Sequence, residues 1–332
     1  MVVVNYHDDL NEVQGDATLA ALLSAPHAVA PFDRIEWWRN LAETCAMQPL
    51  VAVARAGEHR AVLPLMRSGG TITGFCNWYC FRLAALATPG ADQAGLFTAL
   101  ARDLAAQAQR MMLDKLSEDD ADLLSAAFRA SGWLVWKAPC DTNHILALNG
   151  RSFAEYMASR PGPLRTTLKR KGGKVDVMLY RKFDRQAYAN YEEVYAESWK
   201  PQEGSPAFLR RFAEEEGAAG RLRMAVARVD DQPVAAQFWT VEHGIAFIHK
   251  LAHRDDARAL SPGTTLSAAL FEEVIDRDKV ALVDFGTGDD GYKRDWMEQQ
   301  RTRYRLDLLR PGAPGNWPAI VRNGLRRLVR RG

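Results

Sequence analysis

A short segment, Arg258-Ala259-Leu260-Ser261-Pro262-Gly263, separates a stretch of alternating apolar residues from a run with helical spacing that opens on Thr264 and Thr265. A loop of this kind at a helix start presents main-chain N–H groups that no carbonyl has claimed, and such groups attract phosphate. Ser261 narrows the backbone angles open to the loop and Pro262 removes one donor, so a plain Ser-Pro-Gly helix start is the competing reading. Asp284 interrupts the apolar run Val280 to Phe285. A carboxylate there requires a partner, a raised pKa or a place at the strand end facing a cleft. His249 alternates with Ile245 and Phe247, which makes it either a proton carrier or a satisfied core histidine. Tyr292 and Lys293 follow the apolar run, and Trp199-Lys200 closes an earlier helical stretch. The chemistry offered is phosphate binding beside candidate groups for proton transfer.

The elements that must position these residues are readable from hydrophobic period. Lys174 to Tyr180 alternates as a half-buried strand, and Asp184 to Trp199 and Pro206 to Glu216 carry helical spacing. Arg221 to Arg228, Pro233 to Val241 and Ile245 to Ala252 form a meander turning at Asp230-Asp231 and at Glu242-His243-Gly244. Thr264 to Arg277 is a helix, Val280 to Phe285 a buried strand, Tyr292 to Met297 a short helix and Tyr304 to Leu309 a strand. The N-terminal half repeats this order. Strands are expected at Val2 to Tyr6, Leu50 to Arg55, Ala61 to Arg67, Ile72 to Phe81, Arg110 to Asp114, Trp133 to Lys137 and Ile145 to Leu148. Helices are expected at Ala17 to Leu23, Arg34 to Cys45, Asp92 to Ala108 and Asp119 to Ala130. One mixed sheet with helices, built twice, predicts an α/β (α+β) chain of two tandem domains. The expected boundaries are 1–150, a basic linker at 151–173, 174–310, and a tail at 311–332.

The chain has 332 residues, about twice a common domain length. Its 43 Lys and Arg against 41 Asp and Glu create no long-range field that calls for DNA as a partner. The start MVVVNYHDDL lacks a cationic leader with an apolar core, and no long apolar run follows, so a cytoplasmic location is expected. Cys45, Cys76, Cys80 and Cys140 lack zinc-type pairing or a CxxC, so reduced packing cysteines and no metal are expected.

Four stretches carry a resemblance. Pro31-Phe32-Asp33-Arg34-Ile35-Glu36-Trp37-Trp38, Ser198-Trp199-Lys200, Ser261-Pro262-Gly263-Thr264, and Asp284-Phe285-Gly286-Thr287-Gly288-Asp289 through Tyr292-Lys293 resemble signatures of the CelD/BcsL-type acetyltransferases. That bacterial cell-envelope and exopolysaccharide-associated branch belongs to the acetyl-CoA-dependent N-acetyltransferases (GNAT), with kinship to the FemAB-type double-GNAT enzymes. The resemblance implies two GNAT-like domains, acetyl-CoA or another acyl-CoA as co-substrate, and an amine acceptor, small or linked to a lipid or nucleotide. It places the donor pyrophosphate at Arg258, Ser261, Gly263, Thr264 and Thr265, the pantetheine arm along Ile245 to Ala252, and thiolate protonation on Tyr292. Asp284 and His249 are then candidates for the base. In the first half, Ala87-Thr88-Pro89-Gly90 lacks the upstream Arg-x-x-Gly pattern, which implies a degenerate copy.

On the acceptor side, Arg165 and Lys169 are four apart on a predicted helix and suit a phosphate clamp or a solvated face. Trp37, Trp38, Trp199, Lys200 and Lys293 are candidates to line a sugar-binding groove, with core packing the alternative for the tryptophans. In the tail, Trp317, Ile320, Val321, Leu325, Leu328 and Val329 oppose Arg322, Arg326, Arg327, Arg330 and Arg331. This stripe suits either peripheral contact with an anionic membrane or docking onto the protein body. Two other functions compete: aminoacyl transfer from tRNA, against which the near-neutral charge speaks, and a non-catalytic saccharide- or lipid-binding assembly protein.

Overall fold

The computed structural model describes residues 1–322. In chain order the first half runs β1 (Val3–His7), α1 (Leu10–Gly15), α2 (Ala17–Leu22), α3 (Ile35–Thr44), β2 (Pro49–Ala56), β3 (His59–Ser68), β4 (Thr71–Gly74) and β5 (Leu86–Ala87). It continues with α4 (Gln93–Gln107), β6 (Arg110–Leu116), α5 (Glu118–Ala130) and β7 (Leu134–Ala147). The second half runs α6 (Phe153–Ala158), α7 (Gly162–Lys171), β8 (Asp176–Tyr180), α8 (Arg185–Ala196), α9 (Pro206–Ala218), β9 (Leu222–Val229), β10 (Gln232–Glu242) and β11 (Ile245–His253). It ends with α10 (Pro262–Glu272), β12 (Leu282–Thr287), α11 (Lys293–Trp296) and β13 (Gln299–Leu309). The chain forms two compact units, Met1–Asp141 with the residues from Thr302 onward, and Thr142–Arg301. These limits differ from the expected 1–150 and 174–310 because β7 and β13 each serve both units. The end of β7 pairs with β12 in the second unit, whereas Tyr304 to Leu309 of β13 pairs with β6 in the first.

In the first unit, β1, β2, β3 and β4 are antiparallel neighbours and β4 joins β6 in parallel. Helices α4 and α5 bury Phe97, Leu100, Leu104, Leu124 and Phe128 in a core shared with Leu63, Leu113 and Leu306. Two expected strands changed. The strand expected to reach Phe81 stops at Gly74, because Asn77 accepts from Tyr79 N (2.9 Å) through its side chain and from Cys80 N (3.2 Å) through its carbonyl. This is turn chemistry that competes with a ladder. The separate strands expected near 133–137 and 145–148 are instead one, β7.

In the second unit the meander holds as read. Both hairpin turns place two residues in the left-handed region, Asp230 (φ 48°) with Asp231 (φ 63°), and His243 (φ 48°) with Gly244 (φ 70°). Turns with that twist keep the flanking strands together. The core is an aromatic stack: Trp239 meets Phe271 edge-on at 5.0 Å, and Phe271 lies flat on Trp296 at 4.8 Å. Tyr156 donates its hydroxyl to the Trp296 carbonyl (2.7 Å), which pins the four-residue α11.

Strands β11 and β12 pair in parallel only through Ile245↔Leu282, Ala246↔Val283 and Phe247↔Asp284, then part. Asp284 is 7% exposed, and one of its oxygens accepts from Asn143 Nδ2 (2.7 Å) and from Gly286 N (2.8 Å). Gly286 has φ 68°, a conformation that turns the strand and that L side chains adopt at a cost. The β7–β12 register shifts at the same place. A hydrogen-bonded carboxylate therefore bends β12 away from β11. Truncating it would orphan the Gly286 N–H and leave the Asn143 amide with the Gly286 carbonyl as its acceptor. Asp284→Ala should lower unfolding free energy by about 2 kcal/mol, read as a lower midpoint in urea denaturation at constant m.

Candidate functional site

A cavity of about 590 Å³ lies in the second unit, lined by β11 (Leu251, His253), the loop residues Asp255 and Arg258, the start of α10 (Ser261 to Thr264, Ser267), and Tyr292, Asp295 and Trp296. Leu164 of α7, Trp199 and Gln237 complete the wall. Its β11 residues lie beyond Phe247, where pairing with β12 has ended.

Ser261 is left-handed (φ 53°, ψ 47°), the conformation a glycine would take without strain. It ends the preceding turn and starts α10 without a side-chain cap. Its carbonyl accepts from Thr264 N (3.1 Å) and Thr265 N (3.3 Å), Pro262 has no N–H, and Gly263 N–H has no hydrogen-bond partner among the described residues. A helix start with an unclaimed amide carries partial positive charge. Lys171, in the last turn of α7, donates to Ser261 Oγ (3.1 Å) from outside the lining, and Arg258 is the cation of the lining itself. Buried Gln237 of β10 holds the turn in place, donating to Gly263 O (3.1 Å) and Ser267 Oγ (2.8 Å) and accepting from Trp239 Nε1 (3.1 Å). The corresponding helix of the first unit, α4, differs. Its N-terminus is closed by Asp92, which accepts from Gly95 N (3.0 Å), so a protein carboxylate already occupies the anion position.

The predicted residues separate into groups. Arg258, Ser261, Gly263, Thr264, Tyr292 and Trp199 all line the one cavity. Thr265 does not line it. Tyr292 is 41% exposed and meets Phe285 edge-on, and shielding from water, then the Asp290 charge, raises its pKa above the usual phenol range. Trp199 lies over His253 at 4.3 Å. Asp284 is committed to the β12 bend and does not line the cavity. His249 is the extra residue where the β10–β11 register slips, bonds Thr240 Oγ1 through Nε2 (2.8 Å) and packs edge-on to Phe212 at 4.8 Å. It is a satisfied histidine. Lys293 turns inward, 5% exposed, and donates to the Thr287 carbonyl (2.5 Å). Arg165 and Lys169 lie on the exposed side of α7. Trp37 and Trp38 belong to the core of the first unit, Trp37 edge-on to Phe32 at 4.9 Å and Trp38 donating to the Phe32 carbonyl (2.9 Å). They present no ring for a sugar, because α3 buries that face. The tail stripe is helical over residues 317–322, and its remainder from Asn323 lies outside the described residues.

Gln237 and His253 were missed by the sequence reading. Gln237 had a usable signal, a polar residue inside the apolar strand Val234 to Trp239, the same signal that marked Asp284. His253 had none.

Lys200, next along the chain from Trp199, lines a second cavity of about 390 Å³ with Tyr188, Tyr191, Tyr195, Glu203 and Leu209. Burial, followed by the nearby Lys250 charge, lowers its pKa to about 8. Lys250 is also lowered, by burial, although it donates to Glu203 (2.6 Å). Tyr195 is pushed up to about 12 by burial and then by Glu203.

Residues 158–294 match the family model of the acetyltransferase (GNAT) domain. The fold is the GNAT-type acyltransferase fold, present in two GNAT-like copies. No curated protein matches the chain. Among solved structures, the chain is similar to FemX, with TM-score 0.60 and 10% identity over 91% of this chain and 96% of that one. It is similar to a tandem GNAT protein from the clavulanic acid biosynthesis pathway (TM-score 0.55, 14% identity, 94% and 100% covered). A conserved protein of unknown function from Bacteroides thetaiotaomicron gives TM-score 0.60 at 11% identity, with 92% and 100% covered. Among the described residues no group of His, Cys, Asp and Glu could hold a metal ion, and no helix is long and apolar enough to cross a membrane.

The Lys200 shift has a stability consequence with a definite sign. Its folded pKa of about 8 lies below the ordinary 10.5, so the unfolded chain binds more protons in between. The penalty of burying this ammonium is complete below pH 8 and is relieved as pH rises from 8 to 10.5. Lys200→Met should therefore raise the thermal midpoint at pH 7, with the gain shrinking toward about pH 10; a gain that grows with pH would contradict the assignment.

Proposed function

We propose that the chain transfers an acyl group from a CoA thioester to an amine, with the donor in the 590 Å³ cavity. The observation that carries this reading is the unclaimed Gly263 N–H at the uncapped start of α10, beside the space left by the parting of β11 and β12. The residues present fit a pyrophosphate: Gly263 N–H donates to it, and Lys171 and Arg258 balance its charge. A thioester arm laid along β11 meets a strand edge whose main-chain groups have no β12 partner beyond Phe247. An N–H on that edge polarises the thioester carbonyl and holds the oxyanion formed when the amine attacks. The new N–C bond forms, the C–S bond breaks, and the proton that the amine gives up replaces the one Tyr292 hands to the departing sulfur, so the phenol is regenerated. Tyr292, protonated at neutral pH as a phenol is and lining the cavity, supplies the proton to the departing sulfur. Asp284 shapes the cleft through the β12 bend and His249 is held in the meander, so neither serves as base in this scheme.

The acceptor class implied by the CelD/BcsL resemblance is an amino sugar of exopolysaccharide or cell-envelope assembly, reached in the cytoplasm or at the inner face of the membrane. The first unit, with its helix start closed by Asp92, serves as a shell without a donor of its own.

Calorimetry with acetyl-CoA tests the donor site. Wild type and Gly263→Ala should bind in the micromolar range, whereas Gly263→Asp should show no binding, because a carboxylate placed there repels the pyrophosphate. An added Cβ at Gly263 meets only His253 Cδ2, at 3.4 Å, so the Ala variant separates charge from bulk. Absence of CoA binding in wild type, with aminoacyl-tRNA used instead, would overturn the reading. Tyr292→Phe should lower kcat by on the order of 10²-fold while leaving the acetyl-CoA Kd unchanged. An unaltered kcat would remove Tyr292 from the acid role.

A further inference from the structure

The 390 Å³ cavity in the second unit is formed by one face of α8, the segment between α8 and α9, and the start of α9. Tyr188, Tyr191 and Tyr195 recur at helical spacing and give it ring-bearing walls, with Leu209 opposite. Its acids are already engaged. Glu192 is ion-paired with Arg210, and Glu203 accepts from Lys250 at 2.6 Å. Lys200 is the remaining charge on the wall. Among the described residues its ammonium has no carboxylate hydrogen-bonded to it, only the rings of Trp199 at 5.7 Å and Tyr195 at 6.0 Å. The charges of Lys250 and Lys293 oppose the ammonium and those of Glu203 and Asp290 favour it, but Glu203 is hydrogen-bonded to Lys250 and Lys293 is itself held by Thr287. A half-buried cation in a tyrosine-walled cavity, with every nearby acid spoken for, is stabilised by an anion brought from outside.

Trp199 lines the donor cavity and Lys200, the next residue, lines this one. We propose that the second cavity holds the acceptor, and that the acceptor is a ring-bearing amine that also carries an anionic group, carboxylate or phosphate, seated on Lys200. The word acceptor rests on the acyl-transfer reading; the anion site rests on Lys200 alone.

Two matched pairs of amines test this by calorimetry on the full chain at about pH 7: phenylalanine against phenethylamine, and glucosamine 6-phosphate against glucosamine. In at least one pair the anionic member should bind about tenfold or more tightly than its partner, the usual scale for a desolvated charge pair. A preference in the first pair marks a carboxylate, and in the second a phosphate. Lys200→Arg should keep the preference and Lys200→Met should abolish it, with folding checked by thermal midpoint. Should Lys200→Met fail to fold, wild type still decides. At about pH 8 the anionic member should draw a proton onto Lys200, so that its binding enthalpy differs between HEPES and Tris buffers by more than that of its partner. Equal affinities within both pairs, a preference that survives in Lys200→Met, or no proton uptake overturns the proposal. Acetyl-CoA is titrated in the same series. If it does not bind while the anion preference holds, the donor reading falls and the anion site stands; the reverse result removes the anion site and leaves the donor reading intact.

Discussion

The hydrogen bonds of one buried carboxylate set the geometry of the second unit. Asp284 accepts from Gly286 N–H and from the Asn143 amide, and with Gly286 in the left-handed region β12 cannot continue beside β11. Two parallel strands that stay paired satisfy each other's main-chain groups and leave no space between them. Here pairing ends after Phe247 and Asp284, and the 590 Å³ cavity is bounded by the end of β11, the loop leading into α10, and Tyr292 beyond β12. The same carboxylate does not line the cavity, because Oδ1 is held by the bend.

The second requirement is a helix start left open. Helix termini normally satisfy their amides with a side chain, and α4 of the first unit does so with Asp92. At α10, Ser261 is in a conformation whose side chain caps nothing, and its hydroxyl instead accepts from Lys171. Gln237 then prevents the exposed turn from relaxing, since its amide is tied to Gly263 O, Ser267 and Trp239 at once. The two copies thus differ in electrostatics at this helix start: the α4 N-terminus is capped by Asp92, and the α10 N-terminus has no side-chain cap.

Around the second cavity the charges are paired in series, Arg210 with Glu192 and Lys250 with Glu203, and Lys200 is left over. Burying an ammonium without a counter-ion opposes folding, and the lowered pKa of Lys200 expresses that opposition. Strain of this kind is retained where a ligand relieves it.

Hydrophobic period and turn chemistry alone determined the meander β9–β10–β11, with Asp230-Asp231 and His243-Gly244 at its turns, and the loop at Ser261 to Gly263. These are local properties, written in neighbouring residues. The repeated element order likewise made the two-copy α/β fold legible, although the exchange of β7 and β13 between units was not, because strand pairing over such separations leaves no local trace. Asp284 stood out as a charge in an apolar strand, but whether it was free or bonded depended on Asn143, 141 residues away. Trp37 looked equally suited to stacking or to packing, and only the burial of its side of α3 decided the matter. Lys171, Gln237, His253 and Tyr292 converge from four distant segments, and the pairing of Glu203 with Lys250 rather than with Lys200 is settled by distances that exist only once the chain has folded.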